Sequence, residues 1–172
     1  MALRAQALTV RRVLGFALCF TLLQLTWQAA SDGAAGDVVT YHASAVPAAA
    51  AINLITPGIG AYAFYDRVWA PGGGIRILNG CEGVEILFLL VAALAVTPVS
   101  ARRRLVGLLI GIAFVFVLNQ VRLVTLFYAF RESPGLFNTL HSLVMPILMV
   151  IGVLCYFQLW FAWRPGNAAS LR

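Results

Sequence analysis

The chain has 172 residues, of which 62% are hydrophobic and only 10% charged, and its mean hydropathy is +0.91. A soluble domain of this size is about 45–50% apolar and about a quarter charged, so the composition excludes an ordinary soluble fold and makes a bilayer the solvent. The net charge is +6 and all 12 cations are arginine, but they sit at the ends of apolar runs rather than in one patch, which reads as membrane topology and not as nucleic-acid binding.

Four apolar runs approach the length of about 20 residues that a span needs. The first, residues 13–29, follows Arg4, Arg11 and Arg12. Charge, apolar run and the sequence WQAAS also have the shape of a secretory signal. Gln24, Trp27 and Gln28 make a poor cleavage region, so a retained span is expected. Residues 30–82 then form an extracytoplasmic loop. Within it, residues 45–55 are Ala-rich and apolar and read as a helix lying on the membrane surface; Thr56, Pro57, Gly58 and Gly60 break it. The stretches AYAFYDRVWA and GIRILN flank Pro71, Gly72, Gly73 and Gly74 and read as a β-hairpin with a glycine turn. Its second strand delivers the chain to Cys81.

Residues 83–163 carry the other three runs, at 84–99, 105–130 and 143–163, the last ending in the aromatic cluster WFAW. The resulting expectation is one integral membrane domain, residues 1–172. It is an all-α polytopic membrane protein with four transmembrane helices, an outer-face surface helix and a small β-hairpin. Positive charges in short loops mark the cytoplasmic side. Arg4, Arg11 and Arg12, then Arg102 to Arg104, then Arg164 and Arg172 fall on one side of a four-span chain, which puts both termini in the cytoplasm. All 6 acidic residues then lie outside or at the outer edge: Asp32, Asp37, Asp66, Glu82, Glu85 and Glu132. A second outer loop covers residues 131–142.

Helical rise brings three polar side chains to one height. At about 1.5 Å per residue, Cys81 lies roughly 28 Å from Ser100, Arg122 roughly 27 Å from Arg104, and His141 roughly 33 Å from Trp163. The hydrocarbon core is about 30 Å thick, so all three reach its outer boundary. Each has a plainer role. A lone cysteine is usually a small hydrophobe, as Cys19 and Cys155 are inside their spans; an arginine near the edge can snorkel; a histidine can be interfacial. Asn119 is three residues before Arg122 and shares its helix face. Glu85, four residues after Cys81, is expected one turn below it on the same face, either paired with Arg122 or charging the helix start.

The trio has a chemistry of its own. A helix N-terminus and nearby positive groups lower a thiol's pKa, His141 can serve as general base, and a Cys–His pair suits attack on a carbonyl. Arg122 can stabilise the developing oxyanion. These features predict a thiol acyl-transfer enzyme, protease or transpeptidase, at the outer membrane face.

The segments NGCEGVE around Cys81, LNQVRLVTLFY around Arg122 and FNTLHSL around His141 resemble the exosortase/archaeosortase family, most closely the short exosortase H type. The likeness covers roughly residues 72–163, and the chain is smaller than the larger members. The resemblance implies a multi-pass inner-membrane cysteine protease/transpeptidase with Cys81 as nucleophile, Arg122 as transition-state arginine and His141 as general acid/base. Glu85 and Asn119 are supporting positions. Its partners would be exported proteins with a C-terminal motif, a transmembrane helix and a basic tail, cleaved near the motif and transferred to a cell-surface acceptor. No cofactor or metal is expected. The competing expectation is a non-enzymatic assembly or scaffold subunit in which Arg122 pairs with Glu85. A transporter would need polar residues at the midplane, and a metal or haem site on His42 and His141 lacks a ligand set.

Overall fold

A computed structural model describes residues 2–78 and 80–163, with side chains from residue 6 onward; the Arg4 side chain, Asn79, Arg164 and Arg172 lie outside the described residues. The described chain runs α1 (Ala2–Ala30), α2 (Ala34–Ile55), β1 (Tyr62–Phe64), β2 (Arg67–Ala70), β3 (Gly73–Arg76), α3 (Val84–Val96), α4 (Ala101–Glu132) and α5 (Pro134–Ala162). It is an all-α polytopic membrane fold with a small antiparallel sheet.

Four helices are long and apolar enough to cross a membrane: Gln6–Ala30, Ala34–Ile55, Ala101–Glu132 and Pro134–Ala162. One of these, Ala34–Ile55, differs from expectation, and the run expected to span at 84–99 is not among them. The run at 84–99 forms only the 13-residue helix Val84–Val96, about 20 Å long at the usual rise, because Thr97 precedes Pro98 and turns extended with ψ 130°; the ring of a proline disfavours helix at the residue before it. In the outer loop, the helix expected over 45–55 starts at Ala34 instead and is 22 residues long. It contains a π-helical stretch, Val38–Ala45. Its buried residues Ala45, Ala48, Ala49 and Ile52 follow helical spacing and face α4 and the sheet. Gln120 Nε2 donates to the Ala43 carbonyl at 3.0 Å, and Thr56 and Tyr128 share a hydroxyl hydrogen bond of 2.7 Å.

The expected hairpin is a three-stranded sheet in the order β1-β2-β3. AYAFYDRVWA supplies two strands, paired Tyr62 to Trp69 and Phe64 to Arg67, around a turn at Tyr65, which takes a left-handed φ of 49°. Asp66 anchors that turn through ion pairs with Arg67, at 3.6 Å, and Arg76. Val68, Ile75 and Ile77 join Ala48, Ile52, Leu123, Leu126 and Phe127 in one cluster of the core, which also holds Cys81.

A second cluster packs Leu90, Leu94, Val115, Val153 and Trp160. Here α4 presents Gly107 and Gly111, four residues apart, to its neighbours. A Cβ at Gly107 would lie 2.4–2.7 Å from the Trp160 indole, and one at Gly111 would lie 2.3 Å from Leu90 Cδ2. Small residues at this spacing let membrane helices approach closely. The arginines of the α3–α4 link cap helix ends. Arg103 donates to the carbonyls of Trp160, Phe161 and Trp163 at 2.6–3.1 Å, and Arg104 donates to those of Leu94 and Thr97 at 3.0 and 3.1 Å. Cations at helix C-termini oppose the macrodipole and satisfy orphan carbonyls. α1 lies against α3, with Gly15 facing Val96. Leu14, Leu18, Leu22 and Leu25 are exposed, an apolar surface suited to lipid rather than water.

Residues 131–142 are helical rather than a loop. α4 runs to Glu132, and Ser133 caps the next helix by accepting from Leu136 N at 3.2 Å. Pro134 takes the first helical position, where its missing N–H costs nothing.

Candidate active site

The chain leaves β3 at Ile77, whose N–H donates to the Asp66 carbonyl at 2.7 Å, and Cys81 N–H closes a turn on the Leu78 carbonyl at 2.8 Å. Gly80 and Gly83 take φ of +89° and +80°, a region that only glycine enters without strain. Gly83 is the N-cap of α3. Cys81 therefore sits in a turn ahead of the helix and not on it, so Glu85 is not one helical turn below the thiol.

Glu82 organises this turn. It is buried; Gly80 N–H donates to its Oε2 at 2.8 Å and Thr40 Oγ1 to its Oε1 at 3.4 Å. The expected Glu85–Arg122 pair is absent among the described residues, whose ion pairs all involve Asp66. Glu85 is exposed in the first turn of α3, where negative charge is favourable, and its carboxylate lies beside Gly80.

Arg122 is 6% exposed. Its Nη1 donates to the Gly80 carbonyl at 3.3 Å and its Nη2 approaches Cys81 Sγ at 3.7 Å, while Nε is buried without a partner. Cys81 is 7% exposed. Burial pushes its thiol above the ordinary value; Arg122 and a backbone hydrogen bond with Leu78 pull it down, and Glu82 and Glu85 push it up. The lowered pKa expected at a helix mouth is thus reversed, because removing the thiolate from water outweighs the nearby guanidinium.

His141 lies in a π-helical stretch, Leu140–Val144. Its ring stacks on Phe137 at 5.3 Å, and its buried Nδ1 has no hydrogen-bond partner. Phe137 and Leu140 pack on the cluster that contains Cys81, and the charge of Arg122 reaches the imidazole. Cys81 and Arg122 are therefore in contact. His141 is in their neighbourhood, with no hydrogen bond to the thiol among the described residues. Asn119 packs one helical turn from Arg122, against Gly83. Cys19 and Cys155 stay apart from this group, inside α1 and α5.

A cleft of about 1130 Å³ lies between the α1–α2 turn, α2 and the sheet, lined by Asp32, Asp37, Thr40, His42, Tyr65 and Leu78 among others. It does not contain Cys81, Arg122 or His141. It adjoins their turn through Leu78, and through Thr40, which bonds Glu82. No family model, curated protein or solved structure matches the chain.

Proposed function

We propose that the protein is a membrane thiol acyl-transfer enzyme of the exosortase type, cleaving exported proteins at the outer face of the inner membrane with both termini in the cytoplasm. The observation that carries this reading is a fully charged side chain, Arg122, held 3.7 Å from a buried thiol on a different element. The resemblance of the segments around Cys81, Arg122 and His141 supports it. Cys81 attacks the scissile carbonyl, and Arg122 holds the thiolate. His141 takes the thiol proton when substrate closes the gap between ring and sulfur, and returns it to the leaving amine. The resulting thioester passes its acyl group to water or to a cell-surface acceptor. The cleft beside Leu78 gives the polar exported segment a place outside the bilayer.

The test is a thioester trap. An exported protein with a C-terminal motif, span and basic tail, expressed with this protein, should be cleaved and should form an adduct on Cys81. Cys81→Ala should abolish both. Normal processing by Cys81→Ala removes the assignment.

One observation favours a second reading, a structural or assembly subunit: Arg122 also ties α4 to the Gly80 carbonyl. In that case Cys81 would be replaceable by Ala without consequence, while loss of Arg122 would cost folding.

A further inference from the structure

At the same site Arg122 places Nη2 at 3.7 Å from Cys81 Sγ and Nη1 at 3.3 Å from the Gly80 carbonyl, which leaves Nε as its unpartnered nitrogen. An acyl oxygen that gains charge is commonly held by more than one donor. One turn deeper on α4 is Asn119, 2% exposed. Its Oδ1 is buried without a hydrogen-bond partner. A buried acceptor left unpaired is costly; because the oxygen and nitrogen of an amide are assigned from the hydrogen-bond network, a flip of the carboxamide puts its N–H donors at that position.

Asn119 abuts the start of α3. A Cβ on Gly83 would come within 3.0–3.2 Å of its Cγ, Cβ and Oδ1. Gly83 is the N-cap, and no side chain caps this 13-residue helix. The first N–H groups of a helix have no partner within it and face the direction from which the chain enters, here the Cys81 turn. A buried amide whose Oδ1 lacks a partner and an uncapped helix start therefore meet within two residues of the thiol.

We propose that Asn119 is a catalytic residue: its carboxamide N–H, with the first backbone N–H groups of α3, holds the carbonyl oxygen of the acyl group during attack by Cys81. This rests on the reading of Cys81 as the nucleophile. In the step, the Cys81 S–H proton passes to His141, the S–C bond forms and the carbonyl π pair moves to oxygen, where these donors meet it. On collapse the π bond returns, the C–N bond breaks and the amine leaves with the proton that His141 gives back.

A peptide aldehyde separates this role from the others. The full-length protein in detergent is incubated with acetyl-Leu-Leu-norleucinal, whose carbonyl adds the Cys81 thiol to give a hemithioacetal. Occupancy is read by protection of Cys81 from iodoacetamide in mass spectrometry. Losing one oxyanion donor costs about 100- to 1000-fold in catalysis. Asn119→Ala is expected to weaken aldehyde protection by about 100-fold while the rate of iodoacetamide alkylation stays within about twofold of the parent. Asn119→Leu, which keeps the size and loses the donor without adding a charge, should behave alike. Unchanged protection in both variants overturns the proposal. So does a parallel fall in protection and alkylation, since that marks a structural residue. A parent protein alkylated at Cys81 but never protected by the aldehyde overturns the nucleophile reading instead, and the proposal with it.

Discussion

Replacing Arg122 by Met tests the electrical coupling between guanidinium and thiol. Two unit charges about 4 Å apart interact by about 4 kcal/mol at an effective dielectric of about 20, and the Nη2–Sγ separation is 3.7 Å. Screening by nearby water reduces this, and an opposite charge at such range typically moves a pKa by about one to three units. Arg122 lowers the Cys81 pKa against the larger effect of burial, so its loss must raise that pKa further. The sign is fixed: the reactive thiolate appears only as pH climbs, and the variant should need a higher pH to form it. Below both midpoints the rate falls less than the thiolate fraction, because a more basic thiolate is also more nucleophilic, with a Brønsted slope of about 0.4–0.5. The net expectation is alkylation about 3- to 60-fold slower between pH 7 and 8. The assay is the pH profile of iodoacetamide alkylation at Cys81, read by peptide mass spectrometry, with Cys19 and Cys155 as internal references. A midpoint that stays put or moves down would refute the coupling.

Glu82→Gln should move that profile the other way, toward lower pH, since Glu82 raises the thiol pKa; a shift in the same direction as Arg122→Met would show that the turn had collapsed rather than lost a charge. The same variant weakens the bond from Gly80 N–H, and about 1–3 kcal/mol of local stability is at stake, readable as faster hydrogen exchange at residues 80–83. Glu85→Gln should change thermal stability by less than about 0.5 kcal/mol, as a surface substitution does, whereas a buried Glu85–Arg122 pair would lose about 3–5 kcal/mol. Gly107→Leu drives a side chain into Trp160 and should lower the thermal midpoint through an overpacking cost of about 1–3 kcal/mol; no change would mean that α4 and α5 do not pack through this glycine.

Two elements fall close to where sequence patterns place them. Pro71 and Gly72 make the turn between β2 and β3, with Gly73 and Gly74 already in β3, and the long apolar run at 105–130 is one helix, extended to Ala101–Glu132. Ser133 and Pro134 were legible residues read with the wrong meaning. As turn formers they suggest a loop, but a capping serine followed by proline is equally a helix start. The Tyr65–Asp66 turn contains no glycine, and Asp66 was its one local signal; the turn is held by ion pairs from Asp66 to the adjacent Arg67 and to Arg76 on β3. In the window 84–99, hydropathy conceals the break at Thr97–Pro98, since Val96 and Val99 on either side are apolar.

The site was legible in its members more than in its links. Cys81 and Arg122 do meet, although the helical rise used to bring them together does not hold along the whole path, since 81–83 and 97–100 lie outside the helix Val84–Val96. The Glu85 link failed because it assumed that helical spacing already applied at Cys81, whereas Gly83, with its positive φ, starts the helix two residues later. Glu82 was missed for the same reason: its role is set by bonds to Gly80 and Thr40 that have no fixed spacing.

Arg122 itself bears most strongly on whether this turn is chemical or structural. A neutral donor such as glutamine would satisfy the Gly80 carbonyl without the cost of taking a guanidinium out of water. No carboxylate offsets that cost by pairing with Arg122 among the described residues, since the ion pairs all involve Asp66. What a neutral donor does not do is stabilise a thiolate. Burial, Glu82 and Glu85 raise the Cys81 pKa, and Arg122 opposes them. In the proposed acyl transfer, a fixed positive charge beside the sulfur stabilises the thiolate as it forms, a role that the bond to the Gly80 carbonyl does not require.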